Sequence, residues 1–318
     1  MAERIDPVAR RTLGGTGLAV SRLCVGSGNL GSLPSVFGYE TPADRAIATV
    51  RAAFASPLNF IDTSAGYSDG EAERRIGAAI AANGGLPDGW VLATKVDPDP
   101  ATGAFDGPAV RRSVEGSLLR LGLDRVPLLH LHDPERMSFR EAMAPGGAVA
   151  ELIRIRDEGL AAHLGVAGGP VGAMLRYVRT GVFEVVLTHN RFTLLDRTAD
   201  PLIAWAAAHG LGVIQGAPFG GGALAKGPQA VPTYCYAPMD AATLAHARGL
   251  AAVCAAAGVP LGAAALQFPL RDGRIASVVV GISHPQRVSE SIDWAGWPIP
   301  DDVWAEILAA AGHDAGLA

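Results

Sequence analysis

The chain has 318 residues, of which 49% are apolar and 18% charged, with 40 glycines, 22 prolines and a formal net charge of −5. That balance describes a tightly folded body with many short turns and excludes a disordered chain. Without a block of like charge, it also gives no footing for nucleic acid or an anionic membrane as a partner.

The opening stretch MAERIDPVARRTLGG is polar and lacks the apolar core of a secretory signal. No apolar run reaches the roughly 20 residues of a membrane helix, so a cytoplasmic protein is expected. Cys24, Cys235 and Cys254 have no metal-ligand spacing and cannot all pair, which fits a reducing compartment and a packing role for each.

From residue 23 onward, short runs rich in branched apolar residues alternate with longer helical segments. Strands are expected at Leu23–Val25, Asn59–Ile61, Trp90–Ala93, Val126–Leu131, Ala162–Val166, Val185–Leu187, Gly212–Ile214 and Ser277–Val280. The helices between and after them are expected at Pro42–Phe54, Glu71–Ala82, Pro108–Leu121, Ala148–Glu158, Val171–Arg179, Pro201–His209, Asp240–Ala257 and Pro285–Trp294. Eight strand–helix units with no low-complexity linker predict an α/β fold, one (β/α)8 barrel domain over residues 1–318. A doubly wound sheet is the alternative. Against it, Cys24-Val-Gly-Ser-Gly-Asn-Leu-Gly31 has its glycines at the wrong spacing for the dinucleotide fingerprint of that fold.

In such a barrel, the residues at the C-terminal ends of the strands face the active site. Asp62 follows the second strand, Lys95 the third and His132 the fourth, and Tyr67 lies in the loop after Asp62. Together they suit hydride transfer between carbon and a cofactor, which needs a proton donor or acceptor and a group that polarises the oxygen. An ammonium at Lys95 favours the phenolate of Tyr67, and a carboxylate at Asp62 keeps that ammonium charged. A neutral His132 is expected to donate a hydrogen bond to the substrate oxygen.

A metal-dependent hydrolase is a rival reading, because His130-Leu-His132 puts two imidazoles on one face of a strand, with Asp133, Lys95 and His189 as further candidates. Against it, His130 sits inside an apolar run and should point into the barrel below the site, and no acidic ligand follows the eighth strand. No metal is therefore expected. A third reading is a cofactor-binding barrel that acts as a redox-sensing regulatory subunit.

The loops after strands seven and eight suit a phosphate. Ala217-Pro-Phe-Gly-Gly-Gly-Ala-Leu224 lets backbone approach a ligand closely, and Gly281-Ile-Ser-His-Pro-Gln-Arg287 opens a helix.

From Arg11 to Trp297 the sequence resembles the aldo-keto reductase superfamily. The resemblance rests on Phe60-Ile-Asp-Thr-Ser-Ala-Gly-Tyr67, Glu71-Ala-Glu-Arg-Arg-Ile-Gly77, Ala93-Thr-Lys95 and Leu131-His-Asp-Pro134. Arg11-Thr-Leu-Gly-Gly-Thr-Gly-Leu-Ala-Val-Ser21 looks like the family's N-terminal hairpin. The resemblance implies NAD or NADP as cofactor, a small carbonyl or sugar substrate, and Asp62, Tyr67, Lys95 and His132 as the catalytic tetrad.

It further implies cofactor contacts at Gly26, Ser27, Gly28, Asp62, Ala167, Gly168, Asn190, Gly216, Ala217, Pro218, Phe219, Gly220, Gly222, Leu224, Gly281, Ser283, Arg287 and Ser291. Where many members carry Ser-Asn for the carboxamide, this chain has Ala167-Gly168; Gly216 replaces a stacking aromatic, and Asn190 or His189 is placed to take over part of that work. Gly281 replaces a lysine common in NADP-preferring members, which favours NAD.

The combination of His132-Asp-Pro, Asn190-Arg-Phe-Thr-Leu-Leu-Asp, Ala217-Pro-Phe and Tyr234-Cys-Tyr-Ala-Pro is similar to one branch of the family. That branch contains the D-threo-aldose, L-fucose and L-galactose 1-dehydrogenases and pyridoxal 4-dehydrogenase. It implies oxidation of a cyclic hemiacetal with Tyr67 as base and activity that rises with pH, while a general aldehyde or ketone reductase is the alternative. Substrate choice is expected to rest on the loops 32–39, 98–106 and 229–239.

Overall fold

The computed structural model describes residues 5–312. The chain opens with an antiparallel hairpin, β1 (Arg10–Thr12) and β2 (Ala19–Ser21). There follow β3 (Leu23–Gly26), the short α1 (Pro34–Phe37), α2 (Ala43–Phe54), β4 (Phe60–Asp62), α3 (Glu71–Ala82), β5 (Val91–Val96) and α4 (Gly107–Leu121). Next come β6 (Val126–His132), α5 (Phe139–Met143), α6 (Ala148–Asp157), β7 (Ala161–Gly168), α7 (Val171–Val178), β8 (Val185–His189), α8 (Asp200–Ala208) and β9 (Gly212–Gly216). The last third holds α9 (Ala223–Lys226), β10 (Thr233–Tyr234), β11 (Ala237–Pro238), α10 (Ala241–Ala256), α11 (Leu261–Leu270), β12 (Ser277–Gly281), α12 (Gln286–Ala295) and α13 (Asp301–Ala310).

Eight parallel strands close in the order β12-β3-β4-β5-β6-β7-β8-β9, the (β/α)8 barrel expected from the alternation. Strand alternation divides the apolar residues into two cores. Outward residues such as Leu129 and Leu131 join the shell under the helices, whereas Cys24, Phe60, Val91, Leu128, Val185 and Ile214 fill the barrel interior. The hairpin plugs the N-terminal end: Leu13 and Val20 enter the inner cluster, and Gly15 N–H donates to the Gly210 carbonyl at 3.1 Å. Gly14 has a φ of +57°, and a Cβ there would lie 2.2 Å from the Gly212 nitrogen, so only glycine lets the plug seat. Asn59 ties plug to barrel, its Oδ1 accepting from Ser21 N–H and Arg10 Nη1 at 2.7 Å each. With the bottom closed, the strand C-termini are left as the place for a site.

The helices α1, α5, α9, α11 and α13 are not among those expected, and at the seventh unit this changes which helix covers the barrel. The segment expected as the seventh wall helix, Asp240–Ala257, forms α10, which packs on α13 and α11 with only Ala247, Leu250 and Cys254 buried. The helix against the barrel wall is α11, where every residue from Gly262 to Leu270 is buried. Its lack of a polar face removes the amphipathic period by which a helix is read, and Pro269 near its end reads as a stop. Gly262 is needed there because a Cβ would lie 2.3 Å from the Trp294 ring. Among the described residues no single helix is long and apolar enough to cross a membrane.

Candidate active site

The C-terminal strand ends open into a cleft of about 1200 Å3. At its floor, Asp62 ends β4, Lys95 lies in β5 and Tyr67 hangs over both from the loop after β4. Lys95 is 1% exposed and uses all three ammonium protons: to Asp62 Oδ1 at 2.5 Å, to the Thr63 carbonyl at 2.7 Å and to Tyr67 Oη at 3.1 Å. Burial alone would lower its pKa, but Asp62 and Tyr67 raise it, so the ammonium is held charged. Burial pushes the Asp62 carboxyl up against the pull of Lys95.

Tyr67 departs from expectation. Burial outweighs the ammonium, whose charge is offset by Asp62, and the phenol is pushed up to about 12 rather than down. Its oxygen already accepts from Lys95, so its own proton is available to the cleft.

His132 ends β6, also on the cleft, with its ring edge-on to Tyr67 at 5.7 Å between centroids. Its Nδ1 lies 2.7 Å from Oδ1 of Asp97, a residue that the sequence reading passed over. Oδ2 of Asp97 accepts from Gly66 N–H at 2.7 Å and, in a short contact, from the Ser64 hydroxyl. The loop is shaped for this carboxylate, because a Cβ at Gly66 would lie 2.7 Å from Asp97 Cγ. Burial raises the Asp97 carboxyl, but His132, Ser64 and Gly66 more than offset that and hold it below its usual value. The signal that could have found Asp97 is its position two residues beyond Lys95, which by strand alternation leaves β5 toward the same face.

Beside His132, Asp133 sits at φ +41° with Oδ1 3.8 Å from His132 Nε2 and 3.6 Å from His189 Nε2. Asn190 Nδ2 contacts His189 Nδ1 at 3.2 Å. His130 lies below the site, fully buried, with neither ring nitrogen hydrogen bonded; burial, then Lys95 and His132, hold it well below the ordinary histidine value. Among the described residues no three His, Cys, Asp or Glu side chains converge to hold a metal ion.

Most of the expected cofactor residues line the cleft: Gly26, Ser27, Gly28, Asp62, Ala167, Asn190, Gly216, Ala217, Pro218, Phe219, Gly222, Gly281, Ser283, Arg287 and Ser291. Three do not. Gly168 faces Met174 and Pro134, Gly220 abuts the Tyr234 ring, and the Leu224 side chain is buried in the helical core. The strip fits a dinucleotide on the residues present. Ser27 Oγ and Asn190 Oδ1 are buried with no hydrogen-bond partner although their residues border the cleft, and Gly221 and Gly222, both at positive φ, bring bare backbone beside it. Arg287, at the start of α12, pairs with Glu290 at 2.6 Å.

The rim also differs from expectation. Residues 33–40 and 230–233 line it with Tyr236, but the 98–106 loop does not; Pro98, Asp99 and Pro100 border a separate cavity of about 250 Å3. Phe37 and Tyr236 meet edge to face across the mouth at 6.0 Å, and Tyr39 Oη accepts from Asn29 Nδ2 at 2.9 Å.

The closed parallel barrel thus carries a buried Asp–Lys–Tyr chain and a histidine at its C-terminal mouth. The aldo/keto reductase family model matches residues 22–311, and the chain belongs to that family. It is 31% identical over 320 residues to a D-threo-aldose 1-dehydrogenase from a Pseudomonas species, covering 92% of this chain and 95% of the relative. To the L-galactose dehydrogenase of Arabidopsis thaliana it is 32% identical over 285 residues, covering 89% and 86%. The fold matches an aldo-keto reductase from Bacillus halodurans with a TM-score of 0.77 at 20% identity, covering 95% and 96% of the two chains.

Proposed function

We propose that this protein is an NAD(P)-dependent dehydrogenase that oxidises a sugar-type hemiacetal at its anomeric carbon, with Asp62, Tyr67, Lys95 and His132 as the site. The observation that carries the reading is the buried chain from Asp62 through Lys95 to Tyr67 at the floor of a cleft large enough for a dinucleotide and a sugar. A polar wall supports the substrate class. Asp133 Oδ1 is buried without a hydrogen-bond partner beside His132 and His189, and a hydroxyl group of a sugar would satisfy it. Similarity to aldose and galactose dehydrogenases supports the same class.

The bound nicotinamide would supply a two-electron hydride acceptor. Asp62 keeps Lys95 charged, Lys95 orients the Tyr67 hydroxyl, and Tyr67 and His132 together hold the substrate oxygen. Ser27, Asn190, the Ala217–Gly222 turn and Arg287 would hold the dinucleotide. NAD is the favoured form, because Glu290 occupies the Arg287 guanidinium and would repel a 2′-phosphate.

The aromatic bridge of Phe37 and Tyr236 favours a second reading, a reductase of apolar aldehydes. A panel of aldoses, pyridoxal and simple aldehydes, followed by NAD(P)H absorbance in both directions, separates the two. Turnover of aldoses is expected; reduction of simple aldehydes without oxidation of any hemiacetal would overturn the proposal.

A further inference from the structure

We propose that Asp133 is a specificity-determining residue that binds the hydroxyl group on the carbon next to the reacting one, so that the site selects aldoses carrying that hydroxyl and rejects their 2-deoxy counterparts. The inference rests on the dehydrogenase reading above.

His132 is the last residue of β6 and faces the cleft, so the next residue of a continuing strand would face the helical shell. Asp133 instead takes φ +41° and ψ 60°, a left-handed turn that returns its side chain to the cleft. There Oδ1 lies 3.8 Å from His132 Nε2 and 3.6 Å from His189 Nε2. Left-handed backbone favours glycine, and aspartate is among the few side chains that tolerate it. The carboxylate does not serve the turn, because it makes no capping hydrogen bond to the backbone that follows.

Arg136 Nη2 donates to Asp133 Oδ2 at 3.0 Å, while Oδ1 is buried with no hydrogen-bond partner. Burial would raise the carboxyl, but His189, His132 and Arg136 hold it well below the usual carboxylate range, so it is ionised and only accepts hydrogen bonds. Both gaps from Oδ1 to the imidazoles are longer than a direct hydrogen bond, and one bridging hydroxyl fills such a span. His189 has room to border this gap because Gly169 and Gly216 carry no side chain; a Cβ at either would lie 3.3 Å from the histidine.

Tyr67 and His132 hold the oxygen of the reacting carbon, which places Asp133 Oδ1 within reach of the oxygens beside it on the sugar. Two stand there: the ring oxygen and the hydroxyl of the neighbouring carbon. An ionised carboxylate needs a donor, and only the hydroxyl has a proton to give. When that hydroxyl is missing, a buried anionic acceptor stays unpaired in the complex, which is the condition under which a site rejects an analogue strongly.

Paired sugars test the role: L-fucose, D-galactose and D-glucose, each against its 2-deoxy form. Losing an electron-withdrawing hydroxyl makes hydride departure intrinsically easier, so a preference for the full aldose has to be imposed by the protein. Wild type should show a kcat/KM roughly 100-fold or more higher for the full aldose. Asp133→Gly, which suits the φ of +41°, should bring the two forms within a few-fold of each other. Asp133→Asn keeps a neutral acceptor and should lie between. Each ratio is taken within one protein, so a change in the amount of folded enzyme cancels. Sugar binding to enzyme saturated with reduced cofactor, which cannot oxidise the sugar, should follow the same order by ligand-observed NMR. A wild type that oxidises both forms within a few-fold, or an Asp133→Gly variant that keeps the wild-type preference, would overturn the role of Asp133. Wild-type protein inactive on every hemiacetal would instead overturn the dehydrogenase reading, and with it this selection.

Discussion

Substituting Lys95→Met is expected to cost far more stability than the loss of one surface charge, because of what it leaves behind. Lys95 and Asp62 have side chains 1% and 3% exposed, and Asp62 Oδ2 has no hydrogen-bond partner even in the intact site. Methionine matches the aliphatic stem, so the packing loss is small; the carboxylate, however, loses its counter-ion in a medium where it cannot be solvated. Breaking a buried pair from one side costs about 3–5 kcal/mol. The double variant Asp62→Asn/Lys95→Met removes the stranded charge and should recover much of that loss.

The sign with pH follows from the same carboxyl, already raised by burial with Lys95 present. Without Lys95 its folded-state pKa rises further above the unfolded value. The folded protein then binds more protons between the two pKa values, and stability falls as pH rises through that window. The penalty of Lys95→Met relative to wild type should therefore shrink toward acid pH. Urea denaturation at several pH values measures it. A loss below about 1 kcal/mol, or a double variant no better than the single, would refute the claim that Lys95 is what allows Asp62 to stay charged.

Tyr67→Phe should lower kcat roughly 100- to 1000-fold while leaving cofactor affinity by fluorescence unchanged, because it removes the donor aimed at the substrate oxygen and no contact with the dinucleotide strip. Glu290→Gln should improve NADP binding relative to NAD several-fold, read by titration with both cofactors, since it releases the Arg287 guanidinium from its 2.6 Å pair. Gly14→Ala should lower the melting temperature markedly, because a methyl group there meets the Gly212 nitrogen at 2.2 Å and unseats the plug at the base of the barrel. A melting curve unchanged by that substitution would mean that the hairpin adds nothing to barrel stability.

Much of this protein was legible without coordinates because its chemistry follows strand order. Asp62, Lys95 and His132 stand at the ends of successive strands, and a parallel barrel brings every such position to one rim, so their grouping needed only the alternation of apolar runs. Helix α11 was not legible, because a helix buried on all sides has no period against which to be read. Gly168 follows the inward Ala167 on β7, so strand alternation already turns it away from the cleft, whereas Gly220 and Leu224 were not separable from their neighbours, since the direction a short turn and helix give them depends on what packs around it.

What the sequence alone determined was the fold and which residue types would meet at the mouth. What only the tertiary structure decided was which of them touch and how far each is buried. Asp97 and His132 are 35 positions apart and nothing local pairs them, but the 2.7 Å contact gives the imidazole a buried carboxylate partner, and burial sets the Tyr67 phenol against the ammonium beside it. Both are properties of a shared, water-poor space, which exists only once the strands have closed around it.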